Sequence, residues 1–203
     1  MRLELKTAPA AVAIELADVK TYAFMNTTKY DNLVNALLVP CTEELELYTG
    51  RKMINQSWYI YLDANEYYSR LGAYLNTITL STLNVSAITE VLTYNIDNTS
   101  NTVTGTDYRL SGDEFSAFSK MAFNDDTPPQ FQNLRNVDSV RIEVVAGYGS
   151  AKTDIPDAVS TALKILIEHR VKYGDKASSV KLYEDESNYL AMLQGYRSFE
   201  GQF

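Results

Sequence analysis

The stretch Val144–Val171, "VVAGYGSAKTDIPDAVSTALKILIEHRV", decides the fold class because it passes from a strand pattern to a helix pattern within a few residues. It begins inside the run Val140–Ala146, where apolar and polar residues alternate as in a half-buried strand. Gly147–Gly149 then indicates a tight turn, since glycine adopts backbone conformations that other residues avoid. A helix pattern with a wide apolar face follows the turn. The stretch therefore predicts a mixed fold in which a strand leads through a glycine turn into a helix.

The same two patterns continue along the rest of the chain. Helices are predicted at about residues 15–24, 29–49, 154 or 156 to 173, and 178–197. Strands are predicted at about residues 56–63, 78–83, 87–94, 108–110, 115–123 and 140–146. The order of helices, strands and helices predicts one α+β domain over residues 1–203. Its helical core, of about four helices, comes from residues 10–52 and 154–198, and a β-rich insertion occupies about 55–147.

The long second helix and the helix after the glycine turn each have a predicted apolar arc. In the second helix the arc contains Leu33, Ala36, Leu37, Cys41, Leu47 and Tyr48. In the later helix it contains Val159, Ala162, Leu163, Leu166 and Tyr173. Pro40 removes one backbone hydrogen bond inside the second helix, so we expect a kink or a split there. Gly50 is expected to cap the end of that helix.

Charged residues inside these apolar arcs indicate an ion pair. Glu44 falls in the arc of the second helix, and His169 and Arg170 fall in the arc of the later one. A charge placed there is paired on burial or lies at a subunit contact, because unpaired burial is unfavourable. We predict that Glu44 and Arg170 pair, within the chain or across a subunit interface. The alternative is that Arg170 extends along the apolar surface and reaches solvent.

The composition limits the class of protein. The chain has 203 residues, of which 45% are hydrophobic, and this is enough for one well-formed core. A net charge of -8 and an isoelectric point of about 4.7 argue against a protein that binds the phosphate backbone of nucleic acids. There is no run of about 18 apolar residues, so no membrane span is predicted. A single cysteine excludes an internal disulfide and favours a reducing compartment such as the cytoplasm.

No pattern in the chain predicts catalysis, a cofactor or a metal site. His169 is the only histidine, and no Gly-x-Ser-x-Gly, Walker or Gly-x-Gly-x-x-Gly motif is present. Cys41 lies on an apolar helix face, which favours an inert thiol. The acidic residues at 113–114 and 125–126 lack the spacing of a calcium loop. We therefore expect a protein that is not an enzyme and that has no cofactor.

Four segments carry a resemblance to a known family. "TAPAAVAIELADVKTYAFM" from Thr7 is similar to that family's opening helix, and "ELELYTGRKMINQSWYIYLD" from Glu44 to its acidic helix, Thr-Gly-Arg and Gln-x-Trp strand. "VRIEVVAGYGSAKTDIPDAVSTALKILIEHRVKYGD" from Val140 is similar to its strand, Ala-Gly-Tyr-Gly turn and Ile-Pro helix start. "YLAMLQGYRSF" from Tyr189 is similar to its Leu-Leu-x-x-Tyr-Arg terminus. In this order the segments resemble the phage head–tail connector (adaptor, or head-completion) family of tailed bacteriophages and prophages.

The resemblance covers about residues 7–197 and implies a helical core with a β-insertion. It departs from the family at residues 22–24, at Pro40 and in the length of the insertion. It implies a structural subunit of the virion neck, made in the host cytoplasm, that forms with its own copies a ring of about twelve subunits beneath the portal. The implied partners are the portal protein and downstream neck, stopper or tail-completion proteins. DNA would pass through the ring during packaging and ejection without specific binding.

Two surfaces are expected to make these contacts. The C-terminal helix is our candidate for docking onto the portal, through Leu182, Tyr189, Leu190, Leu193, Tyr196 and Arg197. The proline-rich loop with Pro128, Pro129 and Phe131 is our candidate for a subunit contact, because ring closure requires two different patches. The 15 tyrosines fit such contacts or simply reflect strand propensity. The alternative function is a tail or baseplate module that recognises a host surface component through the β-insertion.

Overall fold

The computed structural model describes residues 1–70, 77–81, 83–111, 119–124, 133–173 and 190–197. Its helices are α1 (Leu16–Tyr22), α2 (Asp31–Thr49), α3 (Ala64–Arg70) and α4 (Asp157–Tyr173), with 3-10 turns at Lys152–Asp154 and Gln194–Tyr196. Its strands are β1 (Arg2–Thr7), β2 (Gln56–Leu62), β3 (Thr77–Ser81), β4 (Val85–Tyr94), β5 (Ser100–Thr102), β6 (Tyr108–Ser111), β7 (Ser119–Phe123) and β8 (Val140–Ala146). The predicted α+β class is confirmed.

The strands form two antiparallel sheets. One has five strands in the order β1-β2-β8-β4-β5, and the other has three in the order β3-β7-β6. β8 is the central strand of the larger sheet, where Val144 lies opposite Trp58 of β2 and Ile88 of β4. Alternate residues of β8 from Val140 to Ala146 are buried, as their period of two predicts.

Two groups of buried apolar side chains stabilise the chain. One comes from both sheets and includes the fully buried Ile60, Ile142 and Met121. The other lies among α1, α2 and α4 and includes Val19 and Val34. Within α4, the predicted apolar arc is buried at Val159, Ala162, Leu163 and Leu166. Each large aliphatic side chain in these groups contributes about 1.5–3 kcal/mol through burial.

The glycine turn after β8 lies where these two groups meet. Gly147 has a φ of 149°, and a Cβ added to it would lie 2.5 Å from the backbone nitrogen of Asn55. The Asn55 N–H donates to the Gly149 carbonyl at 2.8 Å, and the Tyr148 N–H donates to the Met53 carbonyl at 3.3 Å. A Cβ on Gly149 would lie 2.2 Å from Oδ2 of Asp154. Both glycines are therefore required by the close approach of neighbouring atoms.

The C-terminal end of α2 and the loop after it are held by hydrogen bonds beside the glycine turn. Gly50 caps the helix with a φ of 71°, which confirms the predicted cap. Glu46 accepts the Met53 N–H at 2.9 Å and contacts the Lys52 ammonium at 2.8 Å. The buried side chain of Asn84 accepts the Lys52 N–H at 2.7 Å and donates to the Lys52 carbonyl at 3.0 Å. The loop between α2 and β2 is thus held by side chains from both the helical and the β-rich parts.

Several elements differ from the sequence-based prediction. β1, β5 and α3 were not predicted, and the strand predicted at 115–123 is described only as β7, because residues 115–118 lie outside the described residues. α2 continues through Pro40 as one helix, so it is not split. Pro40 lies on the exposed side of α2, as does Ala36, whose carbonyl loses its helical donor. Of the predicted final helix, residues 190–193 are helical and a 3-10 turn follows.

The predicted apolar arc of α2 is confirmed at Cys41, which is buried, and at Leu37 and Tyr48, which pack against the core, but it is wrong at Leu33, Ala36 and Leu47. The buried residues are Val34, Cys41, Leu45 and Thr49, whereas Leu33 is 44% exposed and Leu47 is 85% exposed. α2 carries two neighbouring apolar arcs, and only one of them contacts α1 and α4. Helical periodicity identifies both arcs but cannot decide which of them the rest of the chain covers.

Replacing Gly147 by alanine tests the close contact between the glycine turn and residues 53–55. We expect Gly147→Ala to lower the free energy of unfolding by about 3 kcal/mol, because the new methyl group meets backbone atoms and the φ is unfavourable for alanine. The measurement is equilibrium unfolding in urea. Gly105→Ala is the matched control, with no atom within 4 Å of its added Cβ, and should change stability by less than about 0.5 kcal/mol. Equal losses in both variants would contradict the role given to the turn.

Candidate interaction surfaces

The described residues contain no arrangement typical of a metal site. Among them, no group of three or more histidine, cysteine, aspartate or glutamate side chains is placed to hold a metal ion. No described helix has the length and apolar character that crossing a membrane requires. His169 lies half-buried on α4.

Cys41 is a buried side chain of α2. Only 2% of it is exposed, and it packs in the core among α1, α2 and α4. Burial raises the pKa of the thiol to about 11, and the nearby Glu44 carboxylate raises it further than Arg170 lowers it. The thiolate is the reactive form, so this position suits a packing role.

Glu44 and Arg170 are brought together by the packing of α2 on α4. One guanidinium nitrogen of Arg170, Nη2, lies 3.0 Å and 3.1 Å from the two carboxylate oxygens of Glu44. The side chains are 44% and 37% exposed, so within the single chain the pair lies at the surface and is not buried. The buried arc of α2 is centred near Val34 and Leu45, which leaves Glu44 outside the core. An exposed pair of this kind contributes little, about 0–1 kcal/mol.

The C-terminal residues predicted to dock on the portal are only partly described. Leu182 and Tyr189 lie outside the described residues. Leu193 is fully buried in the helical core, and Leu190 and Tyr196 pack against it. The guanidinium carbon of Arg197 lies 5.1 Å from the ring centroid of Tyr48. These four side chains therefore contact the chain's own core, and their docking on a portal stays a prediction.

Pro128, Pro129 and Phe131, predicted to make a subunit contact, all lie outside the described residues. Their role also stays a prediction.

The outer face of the larger sheet carries tyrosines covered by cations. The Arg2 guanidinium lies 3.9 Å from the Tyr61 ring centroid, and that of Arg141 lies 4.5 Å from the Tyr59 centroid. Each cation also contacts a carboxylate, and Lys6 beside them contacts Glu143 at 2.7 Å. The hydrogen bond to Glu143 raises the pKa of the Lys6 ammonium. The cations of this face are therefore neutralised within the chain, which does not favour binding of a phosphate backbone.

Exposed apolar residues around α2 form the surface that sequence reasoning missed. Phe24, directly after α1, is 88% exposed, and Leu47 near the end of α2 is 85% exposed. The sequence pattern predicts Leu33 and Leu47 on the apolar side of α2 and Phe24 at the end of a helix. Their exposure could not be read from the sequence, because an apolar residue on a helix or beside it is more often buried.

Comparison with solved structures finds the same fold in chains of gene transfer agent particles. A chain from the neck of an empty gene transfer agent particle, computed with C6 symmetry, matches with a TM-score of 0.77 and 16% identity, over 99% of this chain and 97% of that chain. A chain from the virion of the native particle matches with a TM-score of 0.75 and 17% identity, over the same shares. A chain from the neck of the native particle, computed with C12 symmetry, matches with a TM-score of 0.71 and 17% identity. This match also covers 99% of this chain and 97% of that chain.

The likeness extends over nearly the whole length of both chains. At this level of identity it establishes a shared fold. The sequence matches no protein-family model and no curated protein.

The Cys41 thiol should be unreactive in the folded chain. With a pKa of about 11 and almost no exposed surface, only about one thiol in a thousand would be ionised at pH 8. We expect thiol reagents at pH 8 to label the protein only as fast as it opens, and at once in urea. Rapid labelling without urea would show that this face of α2 is not packed as described.

A double-mutant cycle measures the ion pair between α2 and α4. Glu44→Gln and Arg170→Met should show a coupling energy of about 0.5 kcal/mol, because both side chains are more than a third exposed and water screens the pair. The coupling should fall at high salt. The control cycle replaces Glu44→Gln with Glu43→Gln, the neighbouring carboxylate, and should give no coupling. Zero coupling in both cycles would contradict the pair in solution.

Proposed function

We propose that the chain is a structural head–tail connector subunit in the neck of a phage or a phage-like particle. The observation that carries the proposal is the similarity of fold, over 99% of this chain, to chains from gene transfer agent particles, two of them from the neck. The resemblance of the sequence to the head–tail connector family supports it independently. In this role the chain acts as a scaffold, and we propose no catalysis and no cofactor.

In the proposed neck the chain forms a ring with its own copies beneath the portal and links the capsid to the tail. Two of the similar chains come from necks computed with C6 and C12 symmetry, which supports a cyclic arrangement. We propose that the C-terminal helix contacts the portal and that the loop at residues 128–131 contacts a neighbouring subunit. The division into a helical core, residues 10–52 and 154–198, and a β-rich insertion at 55–147 belongs to the same proposal.

The charge of the chain supports a ring through which DNA moves without being held. The net charge is -8, and the described cations of the outer sheet face each contact a carboxylate. A phosphate backbone is held by unpaired lysine and arginine side chains that replace its counterions. An acidic lining has few such contacts to offer, so DNA can slide past it.

The test of the proposal is the state of assembly of the purified chain. We expect a concentration-dependent large species in size-exclusion chromatography with light scattering, and closed rings with a central opening in negative-stain images. We also expect no shift of duplex DNA in a gel at low salt. A chain that remains monomeric up to about 1 mM, where contacts of about 4 kcal/mol become populated, would contradict self-assembly into a ring. Binding to a host glycan by such a monomer would favour the tail or baseplate alternative.

A further inference from the structure

The outward side of α2 is mostly apolar. Nine residues of α2 are exposed, and five of these are apolar: Leu33, Ala36, Val39, Pro40 and Leu47. Four of the five form one line along the helix, which we call the α2 stripe and define as Leu33, Ala36, Pro40 and Leu47. By contrast, the described part of α4 has no exposed apolar residue, and the two residues that are mostly exposed, Asp157 and Lys172, are charged. A helix face this apolar is typical of a surface that a protein partner covers.

A second exposed apolar surface lies where α1 leads into α2. Phe24 is 88% exposed there, with Tyr22 at 37% and Tyr30 at 40%. We call Tyr22, Phe24 and Tyr30 the aromatic corner. Large aromatic side chains of this kind are enriched where proteins contact each other, because they bury much area with little loss of side-chain freedom.

The backbone of the aromatic corner is fixed in an unfavourable conformation. Phe24 has a φ of 52°, which is rare for a bulky residue. The Met25 N–H donates to the Lys20 carbonyl at 2.9 Å, and the Lys20 ammonium contacts Asp31 at 2.7 Å. These bonds hold the ends of α1 and α2 together and keep Phe24 directed at solvent. Such outliers persist where the surrounding structure imposes them, and they cluster at functional surfaces.

The two surfaces carry opposite charges. Glu43 is exposed one turn before Leu47, beside the α2 stripe, and has no ion-pair partner among the described residues. Lys29 is exposed in the aromatic corner, where its ammonium contacts only the Tyr30 ring, at 5.2 Å, and no described carboxylate. Complementary charges at the rim of an apolar contact favour one orientation of the partner.

We propose, building on the proposed function, that the aromatic corner of one copy docks on the α2 stripe of the next copy in the ring. The partner is a second copy of this chain because one chain carries both surfaces. Both surfaces are apolar, and the charges beside them are opposite in sign. The two surfaces differ from each other, so the contact is head-to-tail, which is the kind that closes a ring. The stripe extends to Leu47, about 24 Å along α2 from Asp31, so it reaches well beyond the corner of its own chain.

Two variants, each lacking one surface, test the contact. Phe24→Glu removes the corner and Leu47→Glu interrupts the stripe, and neither should change unfolding in urea, because both side chains are more than four-fifths exposed. Each variant alone should assemble at concentrations at least about tenfold higher than the wild-type chain. Ile96→Glu is the matched control: Ile96 is 70% exposed but lies in the β4–β5 turn, and the variant should assemble like the wild-type chain.

Mixing the two variants separates a head-to-tail contact from general damage. A Phe24→Glu chain keeps its stripe and a Leu47→Glu chain keeps its corner, so an equimolar mixture has one intact contact per pair. Light scattering should therefore give dimers from the mixture and monomers from each variant alone at the same concentration. Wild-type-like assembly of either variant, or a mixture that stays monomeric, would overturn this contact while leaving the ring intact as a proposal. A wild-type chain that never assembles would overturn both.

Discussion

The close approach of two backbone segments, Met53–Asn55 and Gly147–Gly149, is the constraint on which the rest of the chain depends. Each segment connects an element of the helical core to a strand of the larger sheet. Only glycine at 147 lets the segments come together, because a Cβ would meet backbone atoms of Ile54 and Asn55. The hydrogen bonds across the contact, and the Asn84 side chain beside it, satisfy polar backbone groups where apolar side chains surround them. The two hydrophobic cores are therefore connected by hydrogen bonds and steric fit as well as by apolar contact.

Ion pairing is widespread on the described surface of this acidic chain. Most described cations contact carboxylates nearby, as Lys20 does with Asp31 and Lys152 with Asp18. Partial burial raises the pKa of the Asp18 carboxyl, but the hydrogen bonds from Lys152 and from the Glu15 N–H, with the charges of Lys152 and Lys164, together lower it below its usual value. Such exposed pairs add little stability individually. In the proposed ring their effect would be larger, since a cation that is already paired with a carboxylate is less available to a phosphate backbone.

α2 explains why one helix can serve both the fold and an assembly. Its buried arc, around Val34 and Leu45, contacts the neighbouring helices, and its exposed stripe has no cover among the described residues. In a monomeric protein such a stripe would be a liability for solubility. In a ring each copy would cover the stripe of its neighbour. The need for a subunit contact would then account for apolar residues that the core does not use.

The sequence alone determined the elements whose patterns are local: β8 from its alternation, the α2 cap at Gly50, the buried arc of α4 and the α+β class. It also indicated Glu44 and Arg170 as partners, because both charges interrupt apolar arcs. It did not predict β1 or the short β5, since neither buries a side chain and each owes its strand conformation to pairing with a neighbour. Only the tertiary structure decided which arc of α2 is covered and that Phe24 and Leu47 face solvent. The physical reason is that periodicity records where apolar residues lie on an element, whereas burial depends on what other elements bring against them.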